Sequence, residues 1–93
     1  KPNPNDLAYT SLALAPHTDN PYRNPVQCIQ MLHCIENEVN GGLSTLVDGY
    51  TVTEKLKKDF QDYYNILTDV KVRFQFIDQS FNIEYCAEII HLN

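Results

Sequence analysis

The chain has 93 residues, of which 43% are hydrophobic and 20% charged, a composition that suits one small folded domain with a modest core rather than a disordered chain. Its formal net charge of −5 leaves no basic stripe to neutralise phosphates, so no nucleic-acid partner is expected. No apolar run is long enough for a membrane span, and the N-terminus lacks a charged-then-apolar signal pattern, so no membrane partner is expected either.

Lys1 to Asp6 is polar and proline-rich and reads as an extended lead-in. Tyr9 to Leu14 predicts a strand stopped by Pro16, and Asn20, Pro21, Asn24 and Pro25 mark the loop behind it. Val26 to Ile35 is a mostly apolar run with β-branched and aliphatic residues, a candidate buried strand. A turn-rich connection then leads to Gly41-Gly42, and Thr45 to Val47 predicts a short strand closed by Asp48-Gly49.

Thr51-Val52-Thr53-Glu54 has the form of a capping box. Behind it Val52, Leu56, Phe60, Tyr63, Tyr64 and Leu67 recur every three or four residues and predict a helix over about 52–67, with a break near Asp59. Its lysines Lys55, Lys57 and Lys58 sit beside Glu54, Asp59 and Asp62, as on a solvated face. Val70 to Phe76 alternates apolar and polar side chains as a half-exposed strand does, and Tyr85 to Leu92 is a further candidate. Three cysteines, Cys28, Cys34 and Cys86, have no CxxC spacing, and two of them lie in strand-like apolar runs where reduced Cys acts as a small hydrophobe. This pattern speaks for a reducing compartment and against a disulfide scaffold or a zinc ribbon. The pattern as a whole is mainly β with one helical excursion. Periodicity alone allows half of a jelly-roll sheet pair or a generic α+β fold.

The densest chemical signal is His17-Thr18-Asp19. In extended backbone residues i and i+2 point the same way, so one imidazole and one carboxylate can close on a single metal ion. They are two of the three groups of a 2-His-1-carboxylate facial triad, which leaves other metal positions open for co-substrate and O₂. An HxD triplet also arises by chance as a surface turn with a solvated His, so its context decides.

That context is Asn5-Asp6-Leu7-Ala8-Tyr9-Thr10, His17 to Tyr22, Ile29-Gln30-Met31-Leu32-His33-Cys34, and Gly41-Gly42-Leu43-Ser44-Thr45-Leu46-Val47-Asp48-Gly49-Tyr50. The four blocks, in this order, resemble the γ-butyrobetaine and trimethyllysine dioxygenase family, a branch of the taurine-dioxygenase-like oxygenases, from about Asp6 to the C-terminus. The resemblance implies a double-stranded β-helix (jelly roll), of which residues 1–93 would form the N-terminal part of an incomplete catalytic domain. It also implies Fe(II), 2-oxoglutarate as cosubstrate and O₂. The reaction it implies is hydroxylation of a small trimethylammonium substrate such as γ-butyrobetaine or trimethyllysine, in the carnitine-synthesis branch. The corresponding compartment is the cytoplasm, or the mitochondrial matrix in a eukaryote.

The resemblance assigns His17 and Asp19 as metal ligands. It places the second His, and the Arg that holds the distal carboxylate of 2-oxoglutarate, further downstream. His33 falls in a structural block, and His91 lacks the expected Arg. Thr45 corresponds to a cosubstrate-binding hydroxyl, the alternative being a strand Thr satisfied by backbone. Tyr9 corresponds to a wall of the aromatic cage that holds the quaternary ammonium through its ring face, the alternative being a core Tyr. Asp6, near that cage, suits a substrate with an extra amino group. Asn20 and Tyr22 are candidates for the pocket mouth, although turn formation accounts for Asn20 equally well. Gln27-Cys28 departs from the family's usual Pro-Gly. A rival reading comes from a different class: a catalytically incomplete half-barrel, acting as a non-enzymatic unit that self-associates, because half a β-helix leaves sheet edges and an apolar face uncovered. On either reading a homo-oligomer is expected.

Overall fold

The computed structural model describes residues 12–93. Two helices, α1 (Gly49–Asp59) and α2 (Gln61–Asp69), are followed by strands β1 (Lys71–Ile77) and β2 (Asn82–Glu88), which pair antiparallel in one two-stranded sheet. This is a mixed α+β arrangement. Residues 12–48 carry no helix or strand and run along the surface in irregular conformations.

The hairpin has the alternation its sequence predicts, displaced by a residue or more at each end. Val72 faces Ala87, Phe74 faces Tyr85 and Phe76 faces Ile83, so one face of the ribbon is apolar and half-buried. The opposite face pairs Gln75 with Glu84 and Lys71 with Glu88, and it carries the Arg73–Glu84 ion pair at 3.8 Å. The turn is closed by the Asp78 amide donating to the Phe81 carbonyl, 2.9 Å. β2 occupies 82–88 rather than 85–92, because register is set by the pairing with β1 and not by the apolar run alone.

The helical region forms two helices, with Phe60 between them. At φ −140° and ψ 62° Phe60 leaves helical geometry, yet its amide donates to the Leu56 carbonyl and its carbonyl accepts from the Tyr64 amide. One residue thus closes α1 and opens α2, one position beyond the break expected near Asp59. Lys57 and Lys58 in the last turn of α1 and Asp62 in the first turn of α2 each suit the local end of the helix dipole.

The start of α1 corrects the capping-box reading. Asp48, not Thr51, is the N-cap, and its carboxylate accepts from the Tyr50 amide at 3.0 Å and from the Thr51 hydroxyl at 2.6 Å. An anionic Asp caps at least as well as Thr and adds charge at the positive helix end, so the helix begins three residues earlier than the Thr predicts. The Thr51 hydroxyl, and then the amides of Thr51 and Tyr50, hold the Asp48 carboxyl below the usual carboxylate range.

The strands expected at Val26–Ile35 and Thr45–Val47 are absent, and so is strand structure at 12–14; the rest of the Tyr9–Leu14 expectation lies outside the described residues. An apolar run becomes a strand only when a neighbouring chain segment supplies its hydrogen-bond ladder, and no described segment pairs with these runs. Cys28 and Cys34 are therefore exposed in irregular backbone rather than packed in strands, and Cys86 on β2 is exposed too.

None of the described residues is buried. Ile29, Met31, Leu32, Ile35, Leu43 and Leu46 are all at least 86% exposed. The accessible surface is 8959 Å², against about 5,500 Å² for a compact monomer of this mass. Some contacts join distant parts of the chain: the Ile90 amide donates to the Leu67 carbonyl at 3.0 Å, tying the tail behind β2 to α2. No helix among the described residues is long and apolar enough to cross a membrane.

Candidate metal centre

The His17–Asp19 pair lies in irregular backbone ahead of the Asn20–Pro25 turn, with each side chain about half exposed. The two side chains point the same way, and His17 Nε2 stands 3.3 Å from Asp19 Oδ1. His17 Nδ1 lies 2.7 Å from the Ala15 carbonyl oxygen, which can only accept, so Nδ1 carries a proton. Nε2 then faces the carboxylate: a protonated ring pairs with Asp19 directly, and a neutral ring turns its lone pair to a cation held between the two.

Two acceptors turned toward one point are the donor set that a divalent transition metal prefers. Imidazole nitrogen and carboxylate oxygen both suit iron, manganese or zinc. Donors at about 2.1 Å from one ion and at right angles to each other stand about 3.0 Å apart, close to the spacing seen. The Ala15 carbonyl plays the part of the outer partner that fixes tautomer and ring orientation in metal-binding histidines. The residues therefore fit a metal ion. Among the described residues no group of three or more His, Cys, Asp and Glu is placed to hold one; the pair offers two donors.

A turn behind the pair holds it in place. Asn20 adopts φ 56°, a left-handed conformation that Asn tolerates better than most residues, and its carbonyl accepts from the Arg23 amide at 3.1 Å. The Asn20 amide group donates to Gln27 Oε1 at 2.7 Å, and its Oδ1 accepts from the Tyr22 hydroxyl at 2.6 Å. Gln30 Nε2 donates to Asp19 Oδ2 at 2.8 Å. Two side-chain rungs, Asn20–Gln27 and Asp19–Gln30, thus cross the turn and draw 27–30 back against 19–20. The Tyr22 ring stacks on Phe76 of β1 at 5.3 Å, and Phe76 in turn meets Phe81 at 5.8 Å, which docks the turn on the hairpin.

Thr45 is exposed in irregular backbone after Gly41 and Gly42, both at positive φ, and among the described residues no hydrogen bond joins it to His17 or Asp19. Tyr9 and Asp6 lie outside the described residues. His33 is exposed, and His91 sits 3.4 Å from Glu88, apart from His17. Asn20 spends both ends of its amide on the turn, which is the turn-forming reading of that residue. Gln27, Gln30 and the Tyr22–Phe76 stack were not foreseen. The available signal was a proline- and asparagine-rich turn followed by Gln27 and Gln30 inside a mostly apolar run.

The sequence profile of the taurine catabolism dioxygenase TauD, TfdA family matches residues 1–89. The chain belongs to this family. Among curated members similar to it, γ-butyrobetaine dioxygenase of Homo sapiens is 40% identical over 82 residues, covering 88% of this chain and 20% of the human protein. The γ-butyrobetaine dioxygenase of Pseudomonas sp. strain AK-1 is 36% identical over 86 residues, covering 92% of this chain and 22% of its own. The mitochondrial trimethyllysine dioxygenase of Gallus gallus is 37% identical over 73 residues, 78% of this chain and 18% of its own. The chain spans about a fifth of the length of these TauD-type relatives. No solved structure matches it.

Proposed function

We propose that the chain supplies the N-terminal part of the catalytic domain of an Fe(II)- and 2-oxoglutarate-dependent dioxygenase that hydroxylates a small trimethylammonium compound, γ-butyrobetaine or trimethyllysine being the candidates. The observation that carries this reading is the 3.3 Å approach of His17 Nε2 to Asp19 Oδ1, with His17 Nδ1 tied to the Ala15 carbonyl. Membership of a dioxygenase family, and relatives named for those two substrates, support it.

His17 and Asp19 hold the metal ion, His17 through Nε2 and Asp19 through Oδ1. Bound there, ferrous iron supplies the activation of O₂ that C–H hydroxylation requires. The protein's part is to fix the two donors and to leave the other coordination positions for 2-oxoglutarate and O₂. Thr45 is proposed to bind the cosubstrate carboxylate. Asp6, Tyr9 and Asn20 are proposed to flank the substrate, with Tyr9 meeting the quaternary ammonium through its ring face, because that cation has no N–H to donate. The remaining metal ligand and the rest of a double-stranded β-helix are proposed to come from chain beyond these 93 residues. The exposed apolar side chains Ile29, Met31, Leu32, Ile35, Leu43 and Leu46 favour covering by that remainder. The same side chains also support a second reading, in which the chain self-associates without catalysis.

The test is turnover by the intact protein with Fe(II), 2-oxoglutarate, ascorbate and each betaine, read as succinate and hydroxylated product by mass spectrometry. The expected result is product from at least one betaine, with Asp19→Ala at background. Absence of product and of succinate, together with undiminished self-association, would decide for the second reading.

A further inference from the structure

We propose that Gln30 is a positioning residue for the metal-facing carboxylate: by donating to Asp19 Oδ2 it confines Asp19 to binding a metal through Oδ1 alone. The inference rests on the assignment of His17 and Asp19 as ligands and adds to it a residue that touches no metal.

The geometry separates the two carboxylate oxygens. Oδ1 faces His17 Nε2 at 3.3 Å, and Oδ2 accepts the Gln30 amide at 2.8 Å. Rotation of the carboxylate toward a two-oxygen mode would break the Gln30 bond and turn Oδ2 away from its donor. Gln30 is itself held near the pair by the turn, because Asn20–Gln27 forms the adjacent rung and the Tyr22 ring seats the loop on Phe76. The donor lies eleven residues along the chain from Asp19, so the bond also fixes where the 27–30 segment lies relative to the metal donors. Outer partners of this type orient metal ligands, and their loss typically weakens metal binding about 10- to 100-fold. A single-oxygen Asp19 leaves one more position for cosubstrate, so the same bond bears on how many ligands the metal can accept.

The experiment is titration of the intact apo-protein with Co(II), following the d–d absorption bands, for the wild type, Gln30→Met, Gln30→Glu and Asp19→Ala. Gln30→Met keeps the length of the side chain without a donor, and Gln30→Glu keeps its shape while placing an acceptor against Oδ2. Gln30 is exposed, so both variants are expected to retain wild-type circular dichroism. The expected result is Co(II) affinity about 10- to 100-fold weaker in both, with a changed band pattern as Asp19 gains freedom to bind through two oxygens. Wild-type affinity and wild-type bands in either folded variant would overturn the role of Gln30. If instead Asp19→Ala binds Co(II) as the wild type does, the ligand assignment itself fails.

Discussion

Residues 1–93 produced alone should not behave as a compact monomer. Ile29, Met31, Leu32, Ile35, Leu43 and Leu46 are each at least 86% exposed, in a chain with no buried residue among those described. Full burial of a side chain of this kind is worth about 1.5–3 kcal/mol, so the six together forgo roughly 9–18 kcal/mol. That matches the entire net stability of a small domain, about 5–15 kcal/mol. The driving force for covering this surface is therefore as large as the one that holds an ordinary domain folded, and self-association is the route open to the isolated chain. The perturbation is the triple variant Leu32→Ser, Leu43→Ser and Leu46→Ser, which removes half of those side chains and about half of the driving force. Light scattering during size exclusion at micromolar concentration reads the mass. The wild-type chain is expected above its 10.7 kDa monomer mass, and the triple variant is expected to shift toward it. A monodisperse wild-type monomer that unfolds cooperatively, with a radius of gyration near 12 Å as for a compact chain of this length, would refute the reasoning.

Tyr22→Leu removes the stack on Phe76 and the hydroxyl bond to Asn20; at this half-buried site the loss is about 1–2 kcal/mol of local stability, or roughly 5- to 30-fold faster amide exchange. Hydrogen-exchange mass spectrometry should show that change over the 19–27 turn, and equal acceleration in β1 and β2 would mean that the stack supports the hairpin rather than the turn. The Asp48 cap predicts an acid-sensitive α1. Its carboxyl titrates below its unfolded value, so the stabilisation is fully present above the unfolded pKa and is lost as pH falls through the lower, folded one. Circular dichroism at 222 nm should therefore fall in acid, and Asp48→Asn, which still caps but does not ionise, should flatten the profile. Glu88 titrates low as well, chiefly through its own backbone amide and then His91, so the comparison is made as the difference between wild type and variant.

The parts legible from sequence are those whose causes lie within a few residues. Spacing of three and four marked the helical region, because a helix closes its hydrogen bonds four residues back. Strict alternation over Val70–Phe76 marked β1, observed at Lys71–Ile77, because a strand sorts its faces by parity. The i, i+2 placement of His17 and Asp19 marked the pair that the fold brings to 3.3 Å. Only the tertiary structure decided whether Val26–Ile35 becomes a strand, since apolar composition proposes a ladder but a partner must complete it, and none of the described segments does. The Asp19–Gln30 bond and the Tyr22–Phe76 stack belong to the same class. They join residues 11 and 54 positions apart, and which side chains meet across such distances depends on how the turn at 20–25 folds back on the hairpin, which no local pattern encodes.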